Sequence, residues 1–135
     1  MHNIKIGTKG EKTLLVTTDV AIRFLDLEDA RVLSTPQLIQ NMEITCRDSV
    51  FALLEKGHDT VGTQVNVSHL AAAPIGSIVT FTSEVISVED RRIEFRVTAS
   101  TEQELIGSGT HQRGIINIAK FAARMAAKKT SVERR

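Results

Sequence analysis

Residues 34–57 read STPQLIQNMEITCRDSVFALLEKG, and the spacing within them decides the fold class. Leu38, Ile39, Met42, Cys46, Val50, Leu53 and Leu54 recur at steps of three and four, which is one face of a helix. Ser34 or Thr35 suits the cap, Pro36 the first turn, and Gln37 stands in capping-box spacing to Ser34. Gly57, after Lys56, suits a left-handed terminator. The pattern predicts one helix of about 20 residues, roughly 30 Å long.

Beyond Gly57 the period changes to two. Val61, Thr63, Val65, Val67 and His69 alternate with Gly62, Gln64, Asn66 and Ser68. Pro74 and Gly76 mark a turn, and residues 77–88 give a second run rich in Val, Ile, Thr and Phe. Glu89, Asp90 and Arg91 make a tight connection to Arg92–Ser100, where Ile93, Phe95, Val97 and Ala99 alternate strictly with polar residues. Leu105–Asn117 is the last strand run, followed by a short helix over 119–128 and a tail. Ahead of the long helix, residues 12–18 predict a first strand, and 19–34 a loop or lid with a short helical turn. Successive strands with short turns predict an antiparallel meander, and a single long helix predicts one sheet face to cover it. The class is α+β: a sheet of about five strands around one central helix.

The 135 residues fit a single domain over 1–135, with its core at about 12–125 and a basic tail at 126–135. Apolar residues make up 41%, which excludes a disordered chain, and a net charge of +1 argues against nucleic acid as a partner. That neutrality is uneven: from Ile118 onward the charge is +5, against −4 before it. The basic end reads either as an anion site or as a solvated helix end whose cations suit the dipole. With no Trp or Tyr, the core must be aliphatic and few rings are offered to a flat ligand. Cys46 falls in the helical stripe and reads as core. No apolar run reaches membrane-spanning length and the first residues lack a secretory pattern, so the expected setting is cytoplasmic, without a membrane partner.

Polar residues stand where the patterns want apolar ones. Glu43 lies beside Met42 on the helical stripe, so it is either a boundary residue reaching water or a buried carboxylate in need of a partner. His69 ends the apolar face of its strand, as a satisfied core residue or as a catalyst. Gly62 interrupts the same strand, which marks a bulge or a close backbone approach. Thr35 and Ser34 are explained by capping alone. The histidines at 2, 58, 69 and 111 lack metal-ligand spacing, so no metal is expected.

Three blocks, VLSTPQLIQNMEI at 32–44, TVGTQVNVSHLAAAPIGSIV at 60–79 and IGSGTHQRGII at 106–116, resemble the hotdog-fold thioesterases similar to fluoroacetyl-CoA thioesterase. The resemblance covers about residues 12–125 and implies the hotdog fold. It also implies hydrolysis of an acyl-CoA thioester, without a cofactor, by a homodimer whose active sites lie where the subunits meet. It assigns catalysis to Thr35, Glu43 and His69, and substrate binding to Gly62 and Arg113. Thr35 and Glu43 are eight residues apart, about 12 Å along one helix, so each site is expected to draw on both protomers. The chain departs from the family's fluoroacetyl-specific lid: 25–33 is shorter and has no aromatic after Phe24. That departure implies a broader or different short-chain acyl-CoA. An acyl-CoA-binding hotdog protein without hydrolytic activity, or a hydratase, stands as the alternative. The complete Thr, Glu and His set, which a pure binder does not need, separates hydrolysis from binding, and the resembling motifs are those of thioesterases, not hydratases.

Overall fold

Ser34 opens α1 (Thr35–Phe51), its Oγ accepting the Gln37 N–H at 3.2 Å, and Pro36 occupies the first turn where its missing N–H costs nothing. The computed structural model describes residues 2–134; Met1 and Arg135, the latter counted in the basic C-terminal segment, lie outside the described residues. α1 is shorter than its apolar stripe predicts. After Val50 the bonds tighten to the i+3 spacing, Leu53 N–H to Val50 O and Leu54 N–H to Phe51 O, and Ala52 ends the helix. Gly57 does take a left-handed φ of 82°, but it sits in the following connection, not at the helix end.

The strands are β1 (Lys9–Leu15), β2 (His58–His69), β3 (Ile78–Glu89), β4 (Arg92–Ser100) and β5 (Leu105–Asn117). They form one antiparallel sheet in the order β1-β3-β4-β5-β2. Three of them, β3 to β5, make the expected meander. β2 does not join it: it pairs with β5 at the far edge, so the β2–β3 connection crosses the sheet. β1 begins three residues earlier than the threonine-flanked run suggests and leaves the ladder at Leu15. Short 3₁₀ turns at Thr18–Val20 and Glu28–Ala30 occupy the expected lid region. The closing helix α2 (Ile118–Glu133) extends well past the predicted 128, through most of what the sequence marks as tail.

α1 touches all five strands, so the sheet wraps it in the hotdog manner. Leu38, Met42, Cys46 and Val50, each four residues after the last, are fully buried against Phe81 and Val85 of β3, Phe95 and Val97 of β4, and Ile106 of β5. β3 and β4 alternate buried and half-buried residues as their sequences demand. At the other edge, Gly109 is obligatory: a Cβ there collides with the Asn66 carbonyl of β2. That close approach holds β2 against β5 and sets the place of the residues described next.

Candidate active site

Two polar clusters lie along the outward side of α1. At its N-terminus the Thr35 hydroxyl and the His69 Nδ1, at the end of β2, are 2.7 Å apart. The His69 Nε2 is buried and has no hydrogen-bond partner among the described residues. Thr35, Pro36, Ile39, Gln40 and Glu43 line an open, largely apolar groove that runs from this pair along the helix.

About two turns further on, Glu43 is half-buried and faces β2 and β5. A Cβ built on Gly62 would lie 3.0 Å from Glu43 Oε1, 3.3 Å from His111 Cε1 and 3.7 Å from Arg113 Nη1. Only a glycine lets the β2 backbone come this near the carboxylate without displacing it. The β2–β5 register shifts between Gly62 and Gln64, so Gly62 lies beside a bulge, as its interruption of the strand suggests.

Arg113 is 7% exposed, and its anchors are specific. Nε donates to Thr60 Oγ1 at 2.7 Å, Nη2 to the Thr60 carbonyl at 2.8 Å, and Nη1 to His111 Nε2 at 3.1 Å. Burial lowers the guanidinium pKa, and the charges of Glu43 and Asp59 oppose that. A buried cation beside a carboxylate keeps the Glu43 region charge-compensated. Asp59, next to Thr60, is gripped by Arg47 of α1 through two bonds of 3.0 and 2.7 Å, which ties the helix to β2 beside the cluster.

The structure thus brings Thr35 to His69, and Glu43 to Gly62 and Arg113, in two groups on one helix. Sequence reasoning missed His111 and Thr60, both buried and both holding Arg113. The signal lay in β5, where His111, Arg113 and Ile115 share the inward parity of the strand. Elsewhere, His2, Glu55 and His58 bring ligand-type atoms within 4.8 Å of one another, which their separation in sequence conceals. There the Glu55 N–H already donates to His2 Nδ1, and His58 Nδ1 bonds the Lys56 carbonyl.

Residues 21–33 form a loop closed at its base, where Ala21 and Leu33 bridge and Arg31 bonds the Ile22 and Thr18 carbonyls. Its tip leaves Phe24 78% exposed, together with Leu25 and Leu27. Among the described residues no helix is long and apolar enough to cross a membrane.

The family model for fluoroacetyl-CoA-specific thioesterases matches residues 16–119. A fluoroacetyl-CoA thioesterase of Streptantibioticus cattleyicolor is 41% identical over 101 residues, 75% of this chain and 73% of that protein. A solved structure of a fluoroacetyl-CoA thioesterase superposes with a TM-score of 0.86 at 33% identity, covering 93% of this chain and 98% of that one. A variant of such an enzyme solved with acetyl-CoA gives 0.85 at 33% identity, again covering 93% and 98%. A thioesterase superfamily member from Thermus thermophilus gives 0.90 at 28% identity over the whole of both chains.

Proposed function

The chain belongs to the fluoroacetyl-CoA-specific thioesterase family and is a thioester hydrolase, and we propose that it cleaves short-chain acyl-CoA to the free acid and CoA. The proposed unit is a cytoplasmic homodimer of one domain per chain, in which the Thr35–His69 pair of one protomer meets the Glu43–Gly62 group of the other. The observation that carries this reading is the Glu43 carboxylate beside the Gly62 backbone, within the field of the buried Arg113.

In the proposed reaction Glu43 takes a proton from water as its oxygen adds to the thioester carbon. The Gly62 N–H and the Thr35 hydroxyl donate to the oxyanion, each worth about 3–4 kcal/mol where such donors are preorganised. For Thr35 to donate outward, His69 Nδ1–H must donate to the Thr35 oxygen, and the 2.7 Å separation supports that bond. Collapse of the adduct breaks the carbon–sulfur bond, and the proton on Glu43 passes to the departing sulfur. Water is consumed, and acid and thiol are released. The partner-facing arrangement is supported by the separation of the two groups, about 12 Å along α1.

The acyl group is proposed to be short and not restricted to fluoroacetyl, because the lid tip carries Phe24 as its only aromatic ring. Thiol release measured over acetyl-, fluoroacetyl-, propionyl-, butyryl- and octanoyl-CoA tests the reading. Highest kcat/KM on a two- to four-carbon unsubstituted acyl group supports it; strong preference for fluoroacetyl-CoA or for the octanoyl chain overturns it.

A further inference from the structure

His111 of β5 is 1% exposed, stands beside Glu43 and Gly62, and performs no step in the reaction above. Its ring is fixed by both nitrogens. Nδ1 lies 2.8 Å from the Gln64 carbonyl, which can only accept, so Nδ1 carries the hydrogen and donates. Nε2 then holds a lone pair, which accepts from Arg113 Nη1. The opposite tautomer would set a lone pair against the Gln64 carbonyl and an N–H against the guanidinium. Protonation would set N–H against N–H and cation beside cation. One neutral tautomer alone satisfies both neighbours.

Those neighbours matter to the site. Gln64 is the residue at which the β2 register resumes after the bulge beside Gly62. Arg113 is the buried cation that faces Glu43. A single imidazole therefore connects the backbone that presents Gly62 to the charge that compensates Glu43. The groups packed round it are Glu43 from α1, Gln64 and the Gly62 backbone from β2, Phe95 from β4 with ring centres 6.3 Å apart, and Arg113 on its own strand.

We propose that His111 is a positioning residue for thioester hydrolysis, its neutral Nδ1–H tautomer bracing the Gly62–Gln64 bulge and holding Arg113 toward Glu43. The proposal rests on the hydrolytic reading for its kinetic consequence, but not for the tautomer. Burial pushes the imidazole below the ordinary histidine range, and the Arg113 charge adds to this against the Gln64 carbonyl and Glu43. The two fixed neighbours, an acceptor at Nδ1 and a guanidinium N–H at Nε2, favour the same neutral ring.

Two measurements on the full chain test it. Long-range proton–nitrogen spectra of the wild type should give His111 as a neutral Nδ1–H tautomer from pH 8 down to 6; an Nε2–H tautomer, or a charged ring at pH 6, overturns the proposal whatever the activity. Kinetics on acetyl-CoA then separate the two bonds. His111→Asn keeps a donor near Nδ1, His111→Gln keeps an acceptor near Nε2, and His111→Phe keeps the bulk alone. His111→Phe should lose about 100-fold in kcat, as misplacement of reacting groups does. The two polar variants should lose about tenfold each, all with KM within about twofold of wild type. Kinetics are read on folded protein well below each variant's melting temperature. Equal kcat in wild type and His111→Phe, or losses in KM alone, overturns the positioning role. Wild-type protein that releases no thiol from any acyl-CoA overturns the hydrolytic reading, and the kinetic part of the proposal with it.

Discussion

The two ends of the α1 groove are built on different principles. At the N-terminus, Thr35 and His69 are held to each other by one bond, and Thr35 is open to solvent. Two turns on, Glu43 faces a network in which Thr60, Arg113, His111 and the Gln64 carbonyl are bonded in series, the first three residues being buried. A hydroxyl donor needs one neighbour to set its direction. A carboxylate in an apolar setting needs a compensating cation, and that cation needs its own fixed partners. The adjustable end and the locked end share one helix but are separated along it, which is the ground for proposing a site shared between two chains.

The largest effect should come from the locked end. Glu43→Gln keeps the shape and removes the base, and kcat should fall by about 10⁴ with little change in melting temperature. Loss of less than tenfold would move the chemistry away from Glu43. Thr35→Ala should cost about 10²- to 10³-fold, the range for one oxyanion donor. The two inactive variants, unfolded together and refolded as a mixture, then test the division between chains. In a twofold dimer, half the molecules are mixed and each holds one intact site, so activity should return to about a quarter of wild type. No recovery would place both groups in one chain's site.

Gly62→Ala tests the contact between the two strands and Glu43. The new methyl must displace the carboxylate or the His111 ring, at a cost of about 1–3 kcal/mol. The displaced carboxylate should separately lower kcat, by about tenfold to hundredfold. The smallest effect belongs to Asp59, whose carboxyl is held below the usual range chiefly by the Arg47 guanidinium and also by the Thr60 N–H, against partial burial. A depressed folded pKa stabilises at all pH values above the unfolded carboxylate pKa and loses that contribution as pH falls through the folded value. Asp59→Asn should therefore cost about 1 kcal/mol in urea unfolding at pH 7, and the gap should begin to narrow below about pH 4. A gap that persists unchanged at pH 3 would remove the ionic account.

How much of this was legible in the sequence varies with the element. α1 and β4 were legible because each has a fixed inward side: the four-residue steps from Leu38 to Val50, and the strict alternation from Ile93 to Ala99, map directly onto buried positions. β2 was not. Its apparent alternation from Val61 to His69 breaks at the bulge, leaving Val65 39% exposed while Thr60 is buried. Its place beside β5 was hidden too, since periodicity names strands and not their partners. The same gap explains the site. Glu43 and His69 stood out as polar residues on apolar stripes and Thr35 came from the family resemblance, whereas His111 acquires its meaning only when Gln64, 47 residues away, comes to lie against it.

Cys46 has a practical consequence. Its side chain is fully buried, and burial pushes the thiol pKa up to about 12. The thiolate is the species that attacks disulfide reagents, so the folded protein presents them with almost none. Any sulfhydryl that such a reagent titrates during turnover was released from coenzyme A. Enzyme-derived colour in the same cuvette would report unfolding, so one assay serves both as the measure of hydrolysis and as the integrity check on every variant above.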